Sequence, residues 1–279
     1  AVAAGRVFDI LDEPSSPSPP AAVPSSPKIR RGVIEFDKVS FSYDGKTLAL
    51  DHISFTVQPG QTVALVGPTG SGKSSIANLL LRFYPPTHGS IRIDQTPLDE
   101  FSEEDLRSAT GLVLQDPFIF YGDITENIRL GDNTLTDRDV QDAAAFVQAD
   151  AFIRQLEGAY HTLLSEGGAT LSLGQRQLLA FARTISRHPK ILVLDEATAN
   201  IDTETEQAIY TALQKMRKDR TTIAIAHRLS TIQDADLILV LQQGRIVERG
   251  THRQLLEQRG LYYTLYRLQQ GAAAKPLRS

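Results

Sequence analysis

The run Gly67-Pro68-Thr69-Gly70-Ser71-Gly72-Lys73-Ser74 has the residue types and the spacing needed to hold a chain of phosphates. It fits G-x-x-x-x-G-K-[ST], in which the glycines let backbone N–H groups turn inward around a β-phosphate. Lys73 can then reach the β- and γ-phosphates, and the Ser74 hydroxyl is placed to ligate Mg²⁺. A second chemical signal is Ile191-Leu192-Val193-Leu194 ending in Asp195 and Glu196, which matches the Walker B pattern. A desolvated carboxylate is costly unless it meets a cation or a donor, so adjacent acids closing an apolar strand imply a task. Asp195 reads as the acid that holds Mg²⁺ through water, and Glu196 as the general base or orienter for an attacking water.

The elements around these residues suit them. Thr62 to Val66 reads as a short buried strand and Ser75 to Phe83 as a helix with Ile76, Leu79, Leu80 and Phe83 on one face. Strand, glycine loop and helix make a P-loop, and the helix adds the positive end of its dipole. Upstream, Ile34, Phe36, Val39, Phe41 and Tyr43 alternate with polar residues. Ile53, Phe55 and Val57 resume the alternation after a turn at Asp44-Gly45-Lys46, so a small antiparallel sheet is expected. Tyr43 lies at its end, where a ring either joins the core or stacks on a base. Strands follow at Ser90–Asp94 and Thr110–Leu114, the second ending at Gln115. Asp123 to about Arg187 is mainly helical, with one helix over Val140–Phe152 and another over Gln175–Arg187 carrying Leu178, Phe181, Ala182 and Ile185. After the acidic strand come strands at Thr222–Ala226, Leu237–Leu241 and Arg245–Glu248, then an amphipathic helix with Leu255, Leu261, Leu265 and Leu268. Strands alternating with helices predict an α/β fold with a mainly parallel sheet covered on both faces.

Composition removes other classes. The net charge of −4 over 279 residues argues against nucleic acid as the main partner. Cysteine is absent, which excludes disulfides and thiolate zinc sites. No apolar run approaches ~18 residues, and no cleavable basic leader is visible. The chain opens on Ala1 to Leu11, which reads as the tail of a helix, so a fragment is expected. Asp12 to Arg31 holds six prolines among serines and alanines, an extended linker too poor in large apolar residues to pack.

Further motifs carry a family resemblance that extends over about Val33 to Leu268. Leu171-Ser172-Leu173-Gly174-Gln175-Arg176-Gln177 resembles the signature of ATP-binding cassette (ABC) ATPases, and Asp195-Glu196-Ala197-Thr198-Ala199-Asn200-Ile201-Asp202 resembles their Walker B and D-loop. His227 matches the switch histidine, Gln115 in Leu114-Gln115-Asp116-Pro117 the Q-loop, and Tyr43 the aromatic that stacks on adenine. Glu166 in Ser165-Glu166-Gly167-Gly168 matches the loop that exporters place near transmembrane coupling helices.

The resemblance implies a P-loop NTPase (RecA-like) fold whose cofactors are ATP and Mg²⁺. Residues 1–32 would be the end of a membrane helix and its linker, and 33–279 the ATPase: an antiparallel β part at 33–59, the P-loop core at 60–116 and 188–250, a helical part at 117–187 and a C-terminal helix at 251–270. Gly67 to Ser75 would hold the phosphates. Lys73, Gln115, Glu196 and His227 would be catalytic, with Ser74, Gln115 and Asp195 at the metal. Ser172, Gly174 and Gln175 would meet the ATP of a second cassette packed head to tail, with the helix opening at Gln175. The implied role is the motor of a bacterial multidrug or lipid exporter at the cytoplasmic face of the inner membrane, joined to a transmembrane domain. A soluble ABC ATPase of translation or DNA repair is the alternative. One departure stands out: Leu173 replaces the first glycine of Leu-Ser-Gly-Gly-Gln. Glycine allows positive φ there, so with leucine the loop either keeps φ negative with the side chain turned away or grips the partner's ATP less tightly; the second case suggests pairing with a different cassette, and the alternative is a homodimer whose loop accommodates the leucine.

Overall fold

In the computed structural model, residues 27–196, 203–226 and 229–273 are described. The fold starts with β1 (Ile34–Ser42) and β2 (Leu48–Val57), paired antiparallel with Ile34 opposite Val57 and Phe36 opposite Phe55. The last pair stack, ring on ring, at 4.6 Å. Asp44 shapes the turn between them by accepting the amides of Thr47 and Lys46 and the Ser42 hydroxyl. These three donors, Thr47 first, hold its carboxyl down at about 2.

β3 (Thr62–Val66) feeds the glycine loop, and α1 (Lys73–Leu80) leaves it. This helix begins two residues before the expected Ser75 and stops at Leu80. Arg82 takes φ 57, which turns the chain, so Phe83 is left 58% exposed instead of sharing the buried face of Ile76, Leu79 and Leu80. β4 (His88–Ile93) and β5 (Thr96–Pro97) then return to the first sheet, whose order is β2-β1-β4-β5. The antiparallel part therefore reaches beyond the expected 33–59.

α2 (Glu103–Ala109) leads to β6 (Thr110–Val113), and β7 (Gly122–Asp123) opens the helical region of α3 (Ile124–Arg129), α4 (Asp137–Phe146) and α5 (Asp150–Gln155). The helix expected over Val140–Phe152 is broken, because Gln148 at φ 65 interrupts it. β8 (Leu163–Leu164) pairs with β7 in a two-stranded ribbon. α6 (Leu173–Ile185), β9 (Ile191–Glu196), α7 (Thr203–Arg217), β10 (Thr221–Ala226), β11 (Leu237–Gln242) and β12 (Arg245–Gly250) complete the core. The single C-terminal helix expected at 251–270 is two, α8 (His252–Gln258) and α9 (Leu261–Ala273), separated where Arg259 adopts φ 52. The Glu248 carboxylate receives the Leu261 and Tyr262 amides and so caps α9. Leu268 is 65% exposed rather than part of the buried stripe.

The large sheet runs β12-β11-β3-β10-β9-β6, with β11, β3, β10, β9 and β6 parallel and β12 antiparallel to β11. It separates two cores. Ala64, Val66, Leu192, Leu194, Ala224 and Ala226 face one, which includes residues of α6 and α7. Val63, Leu65, Ile191, Val193, Ile223 and Ile225 face the other, formed with α1 and the antiparallel sheet. A strand buried on both faces needs a continuous apolar run, which is what β3, β9 and β10 supply. Among the described residues no helix is long and apolar enough to cross a membrane.

The last residues of the proline-rich stretch are packed, contrary to expectation. Ile29 is buried in the second core. Asp94 accepts the amides of Arg30 and Arg31 at 2.8 Å and of Val33 at 2.9 Å. Partial burial works to raise this carboxyl, but the amides of Arg31, Val33, Arg30 and Gly32 outweigh it and hold the group below its ordinary value. Asp94→Asn keeps one acceptor and loses the charge and the other, so it should cost about 1–2 kcal/mol at neutral pH. Because the folded value is depressed, the deficit should be full above about pH 4 and close as pH falls through Asp94's own lower value. Thermal melts of parent and variant across that range read this directly.

Candidate active site

Parallel strands place all their carboxyl ends on one edge, and in open α/β sheets ligands bind there. On this edge β3 runs into the glycine loop, β9 ends in Asp195 and Glu196, β10 ends at Ala226, and β6 ends two residues before Gln115. Ile225 pairs with Asp195 and Ala226 with Glu196, so the two strand ends are level. Of the expected residues, the Glu196 side chain, the run 197–202 and His227 lie outside the described residues, as do residues 1–26.

The glycine loop is held by its neighbours. Gly67, Gly70 and Gly72 have φ 155, 78 and 104. A Cβ at Gly67 would run into the Leu241 carbonyl of β11, and one at Gly72 into Ala49 and Leu50 of β2. Ser71 is buried, and its carbonyl accepts the Gly244 amide at 3.1 Å. Pro68, Thr69 and Gly70 stay exposed at the crest. The Lys73 side chain turns into the loop, donating to the carbonyls of Gly67 at 2.8 Å and Pro68 at 2.9 Å. Burial lowers its pKa, and the charge of Asp195 works the other way, which places that carboxylate within electrostatic reach. Ser74 is exposed at the first turn of α1, where the helix leaves amide donors unsatisfied by its own carbonyls.

Tyr43 is 53% exposed beside this helix, with Tyr84 edge-on to it at 5.1 Å. It is no core ring. Its hydroxyl shares a 3.2 Å hydrogen bond with the buried Ser75 and accepts from Asn78 at 3.1 Å. Asn78 escaped the sequence reading, although its i, i+3 spacing from Ser75 puts both on one helix face. Gln115 is exposed and Asp195 half-buried. Hydroxyl, amide and a single carboxylate form an oxygen-only set, and no group of three or more His, Cys, Asp or Glu able to hold a metal occurs among the described residues. Such a set fits Mg²⁺, which binds through one or two carboxylates together with substrate phosphates rather than in a protein cage.

Ser172 caps α6: its hydroxyl accepts the Gln175 amide at 3.2 Å, while the Gln175 side chain accepts the Ser172 amide at 3.0 Å. This capping box starts the helix at Leu173, two residues earlier than expected. Leu173 is the first helical residue and does not have positive φ, so the backbone reason for a weaker signature fails. Gly174 lies buried in the first turn, and the Ser172 hydroxyl still has its own proton to donate. Glu166 is exposed on a short turn whose Gly167 amide donates to Ile119.

The chain is similar to known proteins over nearly all of its length. Residues 50–199 match the family model described as ABC transporter. A Streptococcus pneumoniae protein named as an ABC transporter ATP-binding protein is 54% identical over 276 residues, covering 99% of this chain and 47% of that one. A fatty acid ABC transporter ATP-binding/permease protein of Mycobacterium bovis is 45% identical, covering 95% of this chain and 41% of that one. An ATP-dependent lipid A-core flippase of Saccharophagus degradans is also 45% identical, covering 96% and 45%. The chain thus spans about half the length of the curated relatives it matches. The structure of a bacterial Atm1-family ABC exporter with ATP bound superposes with a TM-score of 0.85 at 40% identity, over all of this chain and 48% of that one.

The Tyr43 hydroxyl makes an immediate test of the site's architecture. Tyr43→Phe loses the bonds to Ser75 and Asn78, which should cost about 1 kcal/mol and lower the melting temperature of the protein without nucleotide by about 2–4 °C. A melt identical to the parent's would mean that these bonds contribute nothing.

Proposed function

Because the chain belongs to the ABC transporter family, whose ATP-binding domains hydrolyse ATP, we propose that it is the motor domain of a bacterial exporter of multidrug or lipid type. It would work at the cytoplasmic face of the membrane, coupled to a transmembrane domain of the same polypeptide. The observation that carries the reading is the meeting of the glycine loop, Asp195, Glu196 and the approach to Gln115 on one sheet edge. The relatives named above are transporters and a flippase, which disfavours the soluble ATPase of translation or repair.

In this reading the amides of Gly67 to Ser75 cradle the phosphates, and the Lys73 ammonium exchanges the Gly67 and Pro68 carbonyls for β- and γ-phosphate oxygens. Tyr43 offers its ring to the adenine, oriented by Ser75 and Asn78. Ser74, Gln115 and Asp195 would hold Mg²⁺, which would supply charge neutralisation on the phosphates. Glu196 accepts a proton from the attacking water as its oxygen bonds to the γ-phosphorus and the bond to the β–γ bridging oxygen breaks. His227 keeps water, phosphate and base in line. The Ser172 hydroxyl, the Gly174 amide and Gln175 meet the γ-phosphate of the ATP held by a partner cassette, with the α6 dipole behind them. Helical Leu173 fits that role without backbone strain, so a second copy of this chain is a sufficient partner.

Glu196→Gln should leave ATP affinity within about twofold, slow hydrolysis by at least ~10²-fold and trap an ATP-bound dimer of this chain alone. Turnover, nucleotide affinity and sedimentation in ATP measure the three. Equal turnover in variant and parent would remove Glu196 from the base role, and a monomer in ATP would return the partner to a different cassette.

A further inference from the structure

Arg183 lies on α6, off the apolar stripe of Leu178, Phe181, Ala182 and Ile185 and partly exposed, and its hydrogen bonds go to uncharged oxygens. The guanidinium donates to the carbonyls of Asn127 at 2.8 Å and Phe118 at 2.9 Å and to Asn127 Oδ1 at 3.2 Å, and lies 5.4 Å from the Phe120 ring centre. Burial brings its pKa down to about 10, so it remains charged at neutral pH. A guanidinium bonded to two carbonyls and one side-chain amide oxygen, with no carboxylate among these partners, has given up part of its hydration without gaining an ion pair. Its geometry therefore needs another reason.

That reason lies in what its partners flank. Phe118 follows Gln115 by three residues. The next residue on α6, Thr184, donates to the carbonyl of Leu112, three residues before Gln115, at 3.2 Å. The Gln115 loop is thus fastened to the signature helix on both sides. Asn127 braces the outer anchor by accepting the Phe120 amide at 2.9 Å and donating to the Phe120 carbonyl at 3.0 Å. The Gly167 amide, in the turn before the signature, donates to the Ile119 carbonyl at 2.9 Å.

We propose that Arg183 is a positioning residue: it fixes the Gln115 loop to the signature helix, so that engagement of Ser172 to Gln175 by a partner's ATP sets the placement of Gln115 at this chain's own ATP. The proposal rests on the assignment of Gln115 and the signature to two different ATP sites. It links those sites through one helix.

Arg183→Lys keeps the charge but cannot reach all three oxygens. It should lower kcat by about tenfold, the scale of a displaced catalytic group, while ATP affinity stays within about twofold. Hydrogen exchange at the amides of 115–121 should speed up. Phe120→Leu removes the half-exposed ring that lies near the guanidinium and edge-on to Phe118 at 4.8 Å, and should act in the same direction by about twofold; if the lysine variant does not fold, parent-like kcat and exchange in this variant overturn the proposal. The proposal is overturned if kcat and exchange are those of the parent in the folded variants, or if kcat falls only in step with the folded fraction. A parent chain that binds but never hydrolyses ATP would instead overturn the motor reading, and the proposal with it, whereas an active parent with indifferent variants sinks the Arg183 role alone.

Discussion

Hydrogen bonding along a parallel sheet forces its strands to end on the same side, and the candidate site depends on that constraint. β3, β10, β9 and β6 are neighbours, so their last residues lie side by side without any loop having to reach across the molecule. Burial on both faces keeps these strands in register, because slipping by one residue would exchange Ala64 for Leu65 between two cores of different shape. The phosphate loop inherits this precision. It is wedged between the Leu241 carbonyl of β11 and the Ala49–Leu50 edge of β2, and the glycines are the residues thin enough to fit.

The antiparallel sheet and the helical region attach to this frame in different ways. The first supplies Tyr43 and, through Ala49 and Leu50, one wall of the glycine loop, so its position is tied to the phosphate site by direct packing. The second holds the signature on α6 and shares one apolar core with the parallel sheet, Leu178, Leu179, Phe181 and Ile185 lying in the same cluster as Leu192 and Leu194, while Thr184 adds a bond to the Leu112 carbonyl of β6.

Strands bounded by turn signals were legible almost to the residue: β3 as Thr62–Val66 and β9 as Ile191–Glu196 coincide with their apolar runs. Helix ends were not. Gln148 and Arg259 break helices by taking positive φ, a choice made by the surrounding packing and not announced by glycine or proline at those positions. The two-residue strands β7 and β8 are too short to show any period. The signature is instructive in the other direction. Ser172 and Gln175 have the spacing of a capping box, a local pattern that places the helix start at Leu173; attention to the missing glycine obscured it. Arg183 gave no sequence signal, since a lone arginine on a helix is usually solvated and only tertiary structure brings the Phe118 and Asn127 oxygens to this one.

The clasp of Asp94 on the amides of Arg30, Arg31 and Val33 sits where β1 begins, and β1 is flanked by β2 on one side and β4 on the other. Tension arriving along the polypeptide from upstream therefore meets the clasp first and then runs along the axis of a nine-residue strand. Loaded in that direction, the hydrogen bonds on both flanks of β1 share the force in shear instead of opening one after another as a peeled edge would. A pull on the N-terminal segment is passed to the antiparallel sheet as a whole, and from there to the wall of the phosphate loop.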